Sequence, residues 1–158
     1  MIEVLFFQNR AFPILNGQHK IYFDMTNGLK QGCPLSPILF NLVVDPLLSS
    51  LDNLSLDLRA YCDDIAAGFT DPAMITPALG LFDKFNQATG MSSNIQKMIS
   101  PTQKAFSKNS LIEEPILFFN EKYYNALNNN EQYYIFFHDF SQAYDSVSRK
   151  YLLKLLRK

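Results

Sequence analysis

The stretch RAYCDDIA, residues 59–66, sets two adjacent carboxylates, Asp63 and Asp64, between two short apolar runs. Apolar runs interrupted by a polar pair predict a β-hairpin with that pair at or near its tip. Neighbouring side chains of a regular strand point to opposite faces, but where the chain reverses both carboxylates can approach one small volume. Like charges at such a short distance repel each other, and a bound divalent cation is the usual means of keeping both carboxylates ionised. Taken alone, the pair also fits a solvated Asp-Asp turn.

The composition is that of one modest folded domain or a piece of a larger one, with 158 residues of which 47% are hydrophobic. The formal net charge is −1, so the chain lacks the basic field usual in a free-standing nucleic-acid-binding protein. Cys33 and Cys62 form neither a metal-ligand spacing nor a disulfide framework, which predicts a reducing compartment. The sequence shows no membrane span and no secretory signal, so we expect an intracellular protein, nuclear or cytoplasmic, that is neither secreted nor membrane-bound.

Turn signals organise the first part of the chain. Asn-Gly at 16–17 predicts a hairpin between residues 11–15 and 20–25. Two glycines and two prolines in residues 27–37 predict a shaped loop, with Ser36 as the N-cap of the helix that follows. We expect Pro46 to bend or shorten this helix. Its predicted apolar stripe consists of Ile38, Leu39, Leu42, Val43, Leu47 and Leu51.

The later part of the chain alternates between helix and strand signals. A second amphipathic helix ends at Gly90, and a third covers about residues 116–127. Residues 132–138 are rich in Tyr, Phe and Ile, which predicts a strand that delivers Asp139 at its C-terminal end. Ser146 or Ser148 is then expected to cap a last helix. Four basic side chains of that helix are expected to face outward: Arg149, Lys150, Lys154 and Arg157.

Four segments together resemble the palm motifs of reverse transcriptases of the non-long-terminal-repeat, LINE-like retrotransposon type. GLKQGCPLSP at 28–37 closely resembles the second motif, and AYCDD at 60–64 resembles the Tyr-x-Asp-Asp box of the third. TGMSSNIQK at 89–97 is similar to the fourth, and FHDFSQAYDSV at 137–147 to the first. The resemblance implies an RNA-directed DNA polymerase acting on an RNA template, a DNA primer and deoxynucleoside triphosphates.

The order of these motifs is permuted, because the family runs from the first to the fourth and here the first comes last. The sequence therefore resembles either a circularly permuted palm or pieces of two partial copies joined in one frame. We divide it into a palm segment 1–99, a linker 100–110 and a second palm segment 111–158. Eleven extended linker residues reach at most roughly 36 Å, enough to cross one face of a small domain. Permutation is therefore physically possible.

The resemblance implies a two-metal site built from the acidic residues. Nucleotidyl transfer by this family uses two Mg²⁺ ions, which in such sites stand roughly 3.5–4 Å apart. Asp139 and Asp63 are the expected metal ligands, with Asp64 beside them and less directly bound. The carbonyl of Phe140 is expected to contribute as well. For Asp139 alone, a strand-end cap is the plainer interpretation.

The resemblance also implies a nucleotide site. Tyr144 lies five residues after Asp139, where the family has an aromatic residue that excludes the ribose 2′-hydroxyl; an ordinary core tyrosine is the alternative. Gln31 and Gly32 occupy the positions at which the family's loop packs against nucleotide and template. The alternative is that they only form a turn leading into the helix. Lys97 is expected near the leaving phosphate, although a surface lysine is the commoner case.

Some features depart from the family, such as Gln142 where Lys is usual and Cys62 where Ala is commoner. Basic fingers and a thumb are also not recognised, so we expect weak or no polymerisation by this chain alone. The alternative function is a folded, non-catalytic relic of a retrotransposon polymerase. The predicted fold class is α+β, a palm-like antiparallel sheet with helices packed on one face and the acidic residues on its open edge.

Overall fold

The computed structural model describes residues 10–19, 21–55, 57–94, 98–99 and 113–157. Lys97 and the linker 100–110 lie outside these residues. The strands are β1 Arg10–Ala11, β2 Ile14–Leu15, β3 Gln18–His19, β4 Phe23–Asp24, β5 Asp57–Tyr61, β6 Asp64–Phe69, β7 Ser92–Asn94, β8 Met98–Ile99 and β9 Tyr134–Ser141. The helices are α1 Ser36–Asp52, α2 Ile75–Thr89, α3 Glu113–Asn128, α4 Ala143–Ser146 and α5 Arg149–Leu156.

The main sheet is antiparallel and has the strand order β5-β6-β9-β7, with β8 also pairing with β9. A strand from late in the chain therefore lies between strands from its first part. β9 pairs with β6 along one edge, from Ile65 opposite His138 to Phe69 opposite Tyr134, and with β7 and β8 along the other. The α+β class is confirmed. Asp64 and Asp139 lie on the two inner strands, β6 and β9, and Asp63 lies in the turn before β6, whereas an open edge was expected.

One face of the sheet packs against α1, α2 and α5. Alternation along β9 turns Phe136, His138 and Phe140 toward this face, where all three rings contact Phe82 of α2. The fully buried side chains of the cluster include Phe40, Val43 and Leu51 of α1, Ile65, Ala67 and Phe69 of β6, and Val147 and Leu152 around α5. Apolar burial of this extent is the main term that stabilises such a fold.

The prediction that helices cover only one face is wrong. α3 packs on the opposite face, where Phe119 contacts Phe137 of β9 at a ring separation of 6.2 Å. Arg59 of β5 lies over the ring of Phe118, 4.0 Å from its centroid. β6 is buried on both sides because all five residues from Ile65 to Phe69 are apolar or glycine and buried. A continuous apolar run of this kind is typical of a strand covered on both faces.

The first part of the chain follows the predicted hairpin, with small corrections to α1. β2 pairs with β3 around Asn16 and Gly17, and β1 pairs with β4. Ser36 is the first residue of α1, and the cap position belongs to Leu35. Pro46 does not shorten the helix, which continues to Asp52. The predicted apolar stripe is only partly buried. Leu39, Val43, Leu47 and Leu51 are in the core, whereas Ile38 and Leu42 are exposed.

The helix ends of the later part agree well with the capping signals. Gly90 ends α2 in the left-handed conformation, φ +76°, as predicted. Ser148 caps α5 and accepts a hydrogen bond from the Tyr151 backbone N–H, which resolves the choice between the two serines. The prediction that Arg149 faces outward is wrong, because its side chain is buried. None of the helices in the described ranges is both long and apolar enough to cross a membrane.

Candidate functional site

The adjacent carboxylates lie at the turn of the β5–β6 hairpin, as predicted. Tyr61 pairs with Asp64, so Cys62 and Asp63 form a two-residue connection. Cys62 takes a positive φ of 53°, a backbone conformation that favours tight reversals. Asp63 therefore belongs to the turn, whereas Asp64 is the first residue of β6. Cys62 is exposed, and both it and Cys33 are free thiols.

The register of β9 brings the third carboxylate to the same end of the sheet. Ile65 lies opposite His138, and one further step along the same register brings Asp64 opposite Asp139. Asp139 also pairs with Asn94 of β7 on its other side. Alternation turns Asp64 to the face of Ala66 and Asp139 to the face of Phe137, which is the same face of the sheet. Asp139 lies two residues before the end of β9, slightly inside the predicted strand end.

The electrostatics of the three aspartates reflect their proximity. The pKa of the Asp64 carboxyl is raised, first by partial burial, then by the charge of Asp63 and then by that of Asp139. Burial followed by the charge of Asp63 raises the pKa of the Asp139 carboxyl, while a hydrogen bond from the Phe140 backbone N–H opposes the rise. A carboxylate whose charge raises the pKa of another carboxyl lies within electrostatic reach of it.

These oxygen donors fit the chemistry of Mg²⁺, which prefers carboxylates and completes its shell with water and phosphate oxygens. Within the described part of the chain, however, no three His, Cys, Asp or Glu side chains are grouped closely enough to hold an ion by themselves.

The glycine-rich loop lies against the segment that follows β9. The Gly28 N–H donates to the Val147 carbonyl at 2.9 Å, and the Leu29 N–H donates to the Tyr144 carbonyl at 2.7 Å. Gly28 has a φ of +83°, and a Cβ built on it would come within 2.7 Å of the Asp145 carbonyl oxygen. Only glycine therefore suits this close approach. Further along, the Ser36 hydroxyl donates to the Lys30 carbonyl at 2.6 Å, so Ser36 braces the loop from within the helix.

An open cavity of about 470 Å³ lies between this loop and the ring of Tyr144. Its lining comprises Lys30, Gln31, Gly32, Cys33, Pro34, Ser36, Pro37 and Tyr144. The volume is in the range of roughly 300–1,000 Å³ typical of small-molecule sites. Gly32 has a φ of +79°, and a Cβ built on it would have no neighbour within 4 Å, so its backbone is open to the cavity.

Tyr144 connects this cavity with the acidic residues. Its ring stacks on Phe40 of α1 with 4.8 Å between centroids, and only part of the side chain is exposed. The pKa of the Tyr144 hydroxyl is raised, first by burial and then by the charges of Cys62 and Asp63. The same side chain therefore lines the cavity and lies within electrostatic reach of the Asp63 turn.

The remaining predicted residues are placed less directly. The Gln31 amide faces the Asp145 carboxylate, with its nitrogen 3.4 and 3.5 Å from the two oxygens. The Phe140 side chain is buried in the core, so only its backbone can face the site. Lys97 lies outside the described residues. Sequence reasoning missed Asp145 and Arg149, whose partners lie more than 110 positions away along the chain.

Comparisons with known proteins cover three of the four motifs, those at 28–37, 60–64 and 89–97. Residues 2–98 match the family described as reverse transcriptase (RNA-dependent DNA polymerase). The retrovirus-related Pol polyprotein from type-1 retrotransposable element R2 of Popillia japonica is 34% identical over 83 residues; the alignment covers 46% of this chain and 12% of that protein. No solved structure matches significantly. The family match extends over more than half of the chain and confirms the resemblance seen in the sequence: the chain belongs to the reverse transcriptase family, as a domain of the LINE-like retrotransposon type.

Proposed function

We propose that this domain is a permuted polymerase palm for RNA-directed DNA synthesis by two-metal nucleotidyl transfer. The observation that carries the proposal is the proximity of Asp63, Asp64 and Asp139 at one end of β6 and β9, together with Tyr144, which lines the cavity and interacts electrostatically with Asp63. Asp139 belongs to a segment outside the matched residues, yet it shares an electrostatic environment with the matched hairpin.

The proposed roles of the acidic residues follow from their charge and position. Asp139 and Asp63 would hold the ions, with Asp64 adding negative charge beside them and the Phe140 carbonyl a further oxygen. Magnesium bound there would lower the pKa of the primer 3′-hydroxyl and stabilise charge on the leaving pyrophosphate. The pKa values of Asp64 and Asp139 support these roles: burial raises both first, the charge of Asp63 adds to the rise, and a bound cation would offset that part of it.

The proposed nucleotide site is the cavity. Tyr144 would exclude the ribose 2′-hydroxyl of a ribonucleotide, since its ring is held in place by stacking on Phe40. Gly32 would allow close backbone approach, and Gln31 would contact nucleotide or template. Lys97 is proposed near the leaving phosphate. The proposed substrates are an RNA template, a DNA primer and deoxynucleoside triphosphates. The match to the R2 Pol polyprotein supports this substrate class.

The proposed domain plan has palm segments 1–99 and 111–158 joined by residues 100–110. The strand order supports it, because β9 of the later segment lies between β6 and β7 of the earlier one. The net charge of −1 supports weak activity by the chain alone, because nucleic-acid affinity depends largely on basic contacts to phosphates.

A magnesium titration of the purified chain tests the proposed metal site. We expect Mg²⁺ to raise the Tm of the wild type, because it offsets repulsion among the aspartates, and to shift amide signals of residues 61–65 and 138–140 by NMR. Asp63→Ala should abolish this response and any extension of a DNA primer on an RNA template. The matched control is Asp83→Ala, an exposed carboxylate on α2 that should leave the response unchanged. A magnesium response that survives Asp63→Ala would contradict the assignment.

The second candidate is a non-catalytic relic that keeps the fold without a working site. It is favoured by one observation: the described residues contain no ready group of three metal-ligating side chains. A relic should show no site-specific magnesium response and no difference between wild type and Asp63→Ala. The same titration therefore separates the two candidates.

A further inference from the structure

Arg149 is a buried cation close to the loop that lines the cavity. It is the first residue of α5, and its side chain lies inside the protein with a relative exposure of 8%. Its Nε donates to the Gly28 carbonyl at 3.0 Å, and its Nη1 donates to the Met25 carbonyl. Burying a guanidinium is costly unless oxygen acceptors replace water. Burial accordingly lowers the pKa of Arg149.

The two acceptors lie where the chain enters the glycine-rich loop. Gly28 donates its own N–H to the Val147 carbonyl, so Gly28 is held to the α4–α5 segment through both its N–H and its carbonyl. The next residue, Leu29, is bonded to the Tyr144 carbonyl. From there the chain runs directly into Gln31 and Gly32 at the cavity.

We infer that Arg149 is a positioning residue, whose buried fork on the Met25 and Gly28 carbonyls sets the place of the cavity loop relative to Tyr144 and Asp139. The role of the loop in nucleotide binding rests on the proposed function, whereas the anchoring by Arg149 does not. Arginine suits the task because its planar guanidinium donates from separate nitrogens in a fixed geometry. Lysine keeps the charge but presents its donors from a single nitrogen.

Hydrogen exchange tests the anchoring in the full chain. We expect Arg149→Met to speed exchange of the amides of residues 28–33 by about tenfold or more, because loss of a charge-assisted anchor favours local opening. Exchange in β6 and β9 should change far less. Arg149→Lys should lie between Arg149→Met and the wild type. The matched control is Lys150→Met, which removes an exposed positive charge at the next position and should alter neither region.

Two results would overturn the inference: unchanged exchange in the loop, or an equal increase in loop and sheet, which would mean that Arg149 supports only global stability. If Arg149→Met fails to fold, the comparison of Arg149→Lys with the wild type decides by the same criterion.

Binding of a fluorescent deoxynucleoside triphosphate with Mg²⁺ is the second readout. If the loop binds nucleotide, the Kd should rise by about tenfold in Arg149→Met and less in Arg149→Lys, with Lys150→Met unchanged. Equal Kd values in all folded variants would overturn the positioning role. If the wild type binds no nucleotide, the proposed function fails, and loop exchange still decides whether Arg149 anchors the loop.

Discussion

Residues 2–98 carry the family match and residues 113–157 lie outside it, yet the two regions contribute to one sheet and one candidate site. The earlier region supplies the carboxylate hairpin and the cavity loop. The later region supplies the inner strand β9 and, after it, Tyr144 and Arg149. The residues that match the family are thus not the only ones that build the sheet. Residues 113–157, outside the family match, carry the third carboxylate, Asp139, and hydrogen-bond to Met25, Gly28 and Leu29 at the start of the loop.

The largest expected effect comes from the core of the later region. Phe140→Ala should destabilise the whole domain by about 3–5 kcal/mol, because a buried ring that contacts Phe82 and Phe85 is lost from an inner strand. Urea unfolding followed by circular dichroism measures the change. Ser141→Ala, at an exposed position of the same strand, should be close to neutral. If Phe140→Ala changed stability by less than 1 kcal/mol, the later region would be an accessory to a fold completed by the earlier one.

The contact between the two regions can be tested at Gly28. Gly28→Ala should cost about 2–3 kcal/mol, since the new Cβ would require an unfavourable positive φ and approach the Asp145 backbone oxygen at 2.7 Å. Gly80→Ala is the matched control, because a Cβ there meets nothing within 4 Å and the residue lies inside α2. That change should stabilise by about 0.5–1 kcal/mol in the same unfolding assay. If Gly28→Ala and Gly80→Ala changed the free energy of unfolding by similar amounts, the loop would be packed loosely on the later region.

Local signals in the sequence were enough for much of this architecture. The hairpins and the helix end at Gly90 depend on residues close together in the chain and were predicted, and the cap of α5 was narrowed to Ser146 or Ser148, of which the structure shows Ser148. The convergence of Asp63 and Asp64 was likewise a local inference. Their meeting with Asp139 came only from the resemblance to a family, because no local pattern sets the register between β6 and β9.

The errors have a common physical origin in contacts between distant residues. Helical periodicity predicted an outward Arg149, but carbonyls 124 and 121 positions away draw it inward. The second covered face was missed although the apolar run 65–69 carried a signal for it. Ser36 was assigned to a cap, whereas its hydroxyl bonds to the loop carbonyl of Lys30. Local sequence propensity predicts the helices and strands, whereas hydrogen-bond acceptors from distant parts of the chain determine where charged and polar side chains lie.

The smallest expected effect concerns His138, where β9 of the later region meets α2 of the earlier one. The ring is 2% exposed and packs 3.8 Å from the centroid of Phe82. Neither ring nitrogen has a hydrogen-bond partner among the described residues. His138→Phe should therefore stabilise the domain by about 1 kcal/mol near neutral pH, because it removes buried polar atoms that lack partners, with a small loss for the larger ring. His138→Ala, which removes the polar atoms but also the packing, should destabilise it.

The pH dependence of this substitution sharpens the comparison further. Burial lowers the pKa of His138 to about 4, whereas an unfolded histidine titrates near 6.5. Between these values the unfolded chain takes up a proton that the folded protein does not, so this residue contributes stability above pH 6.5 that is lost as the pH falls toward 4. The advantage of His138→Phe over the wild type should therefore grow as the pH is lowered, by up to about 1.4 kcal/mol per unit. Urea unfolding of both proteins at several pH values measures that difference. The carboxyl groups titrate alike in the two proteins, so their contribution cancels when the two free energies of unfolding are subtracted. A difference independent of pH would mean that the folded protein protonates His138 readily, and hence that β9 and α2 do not form a dry contact there.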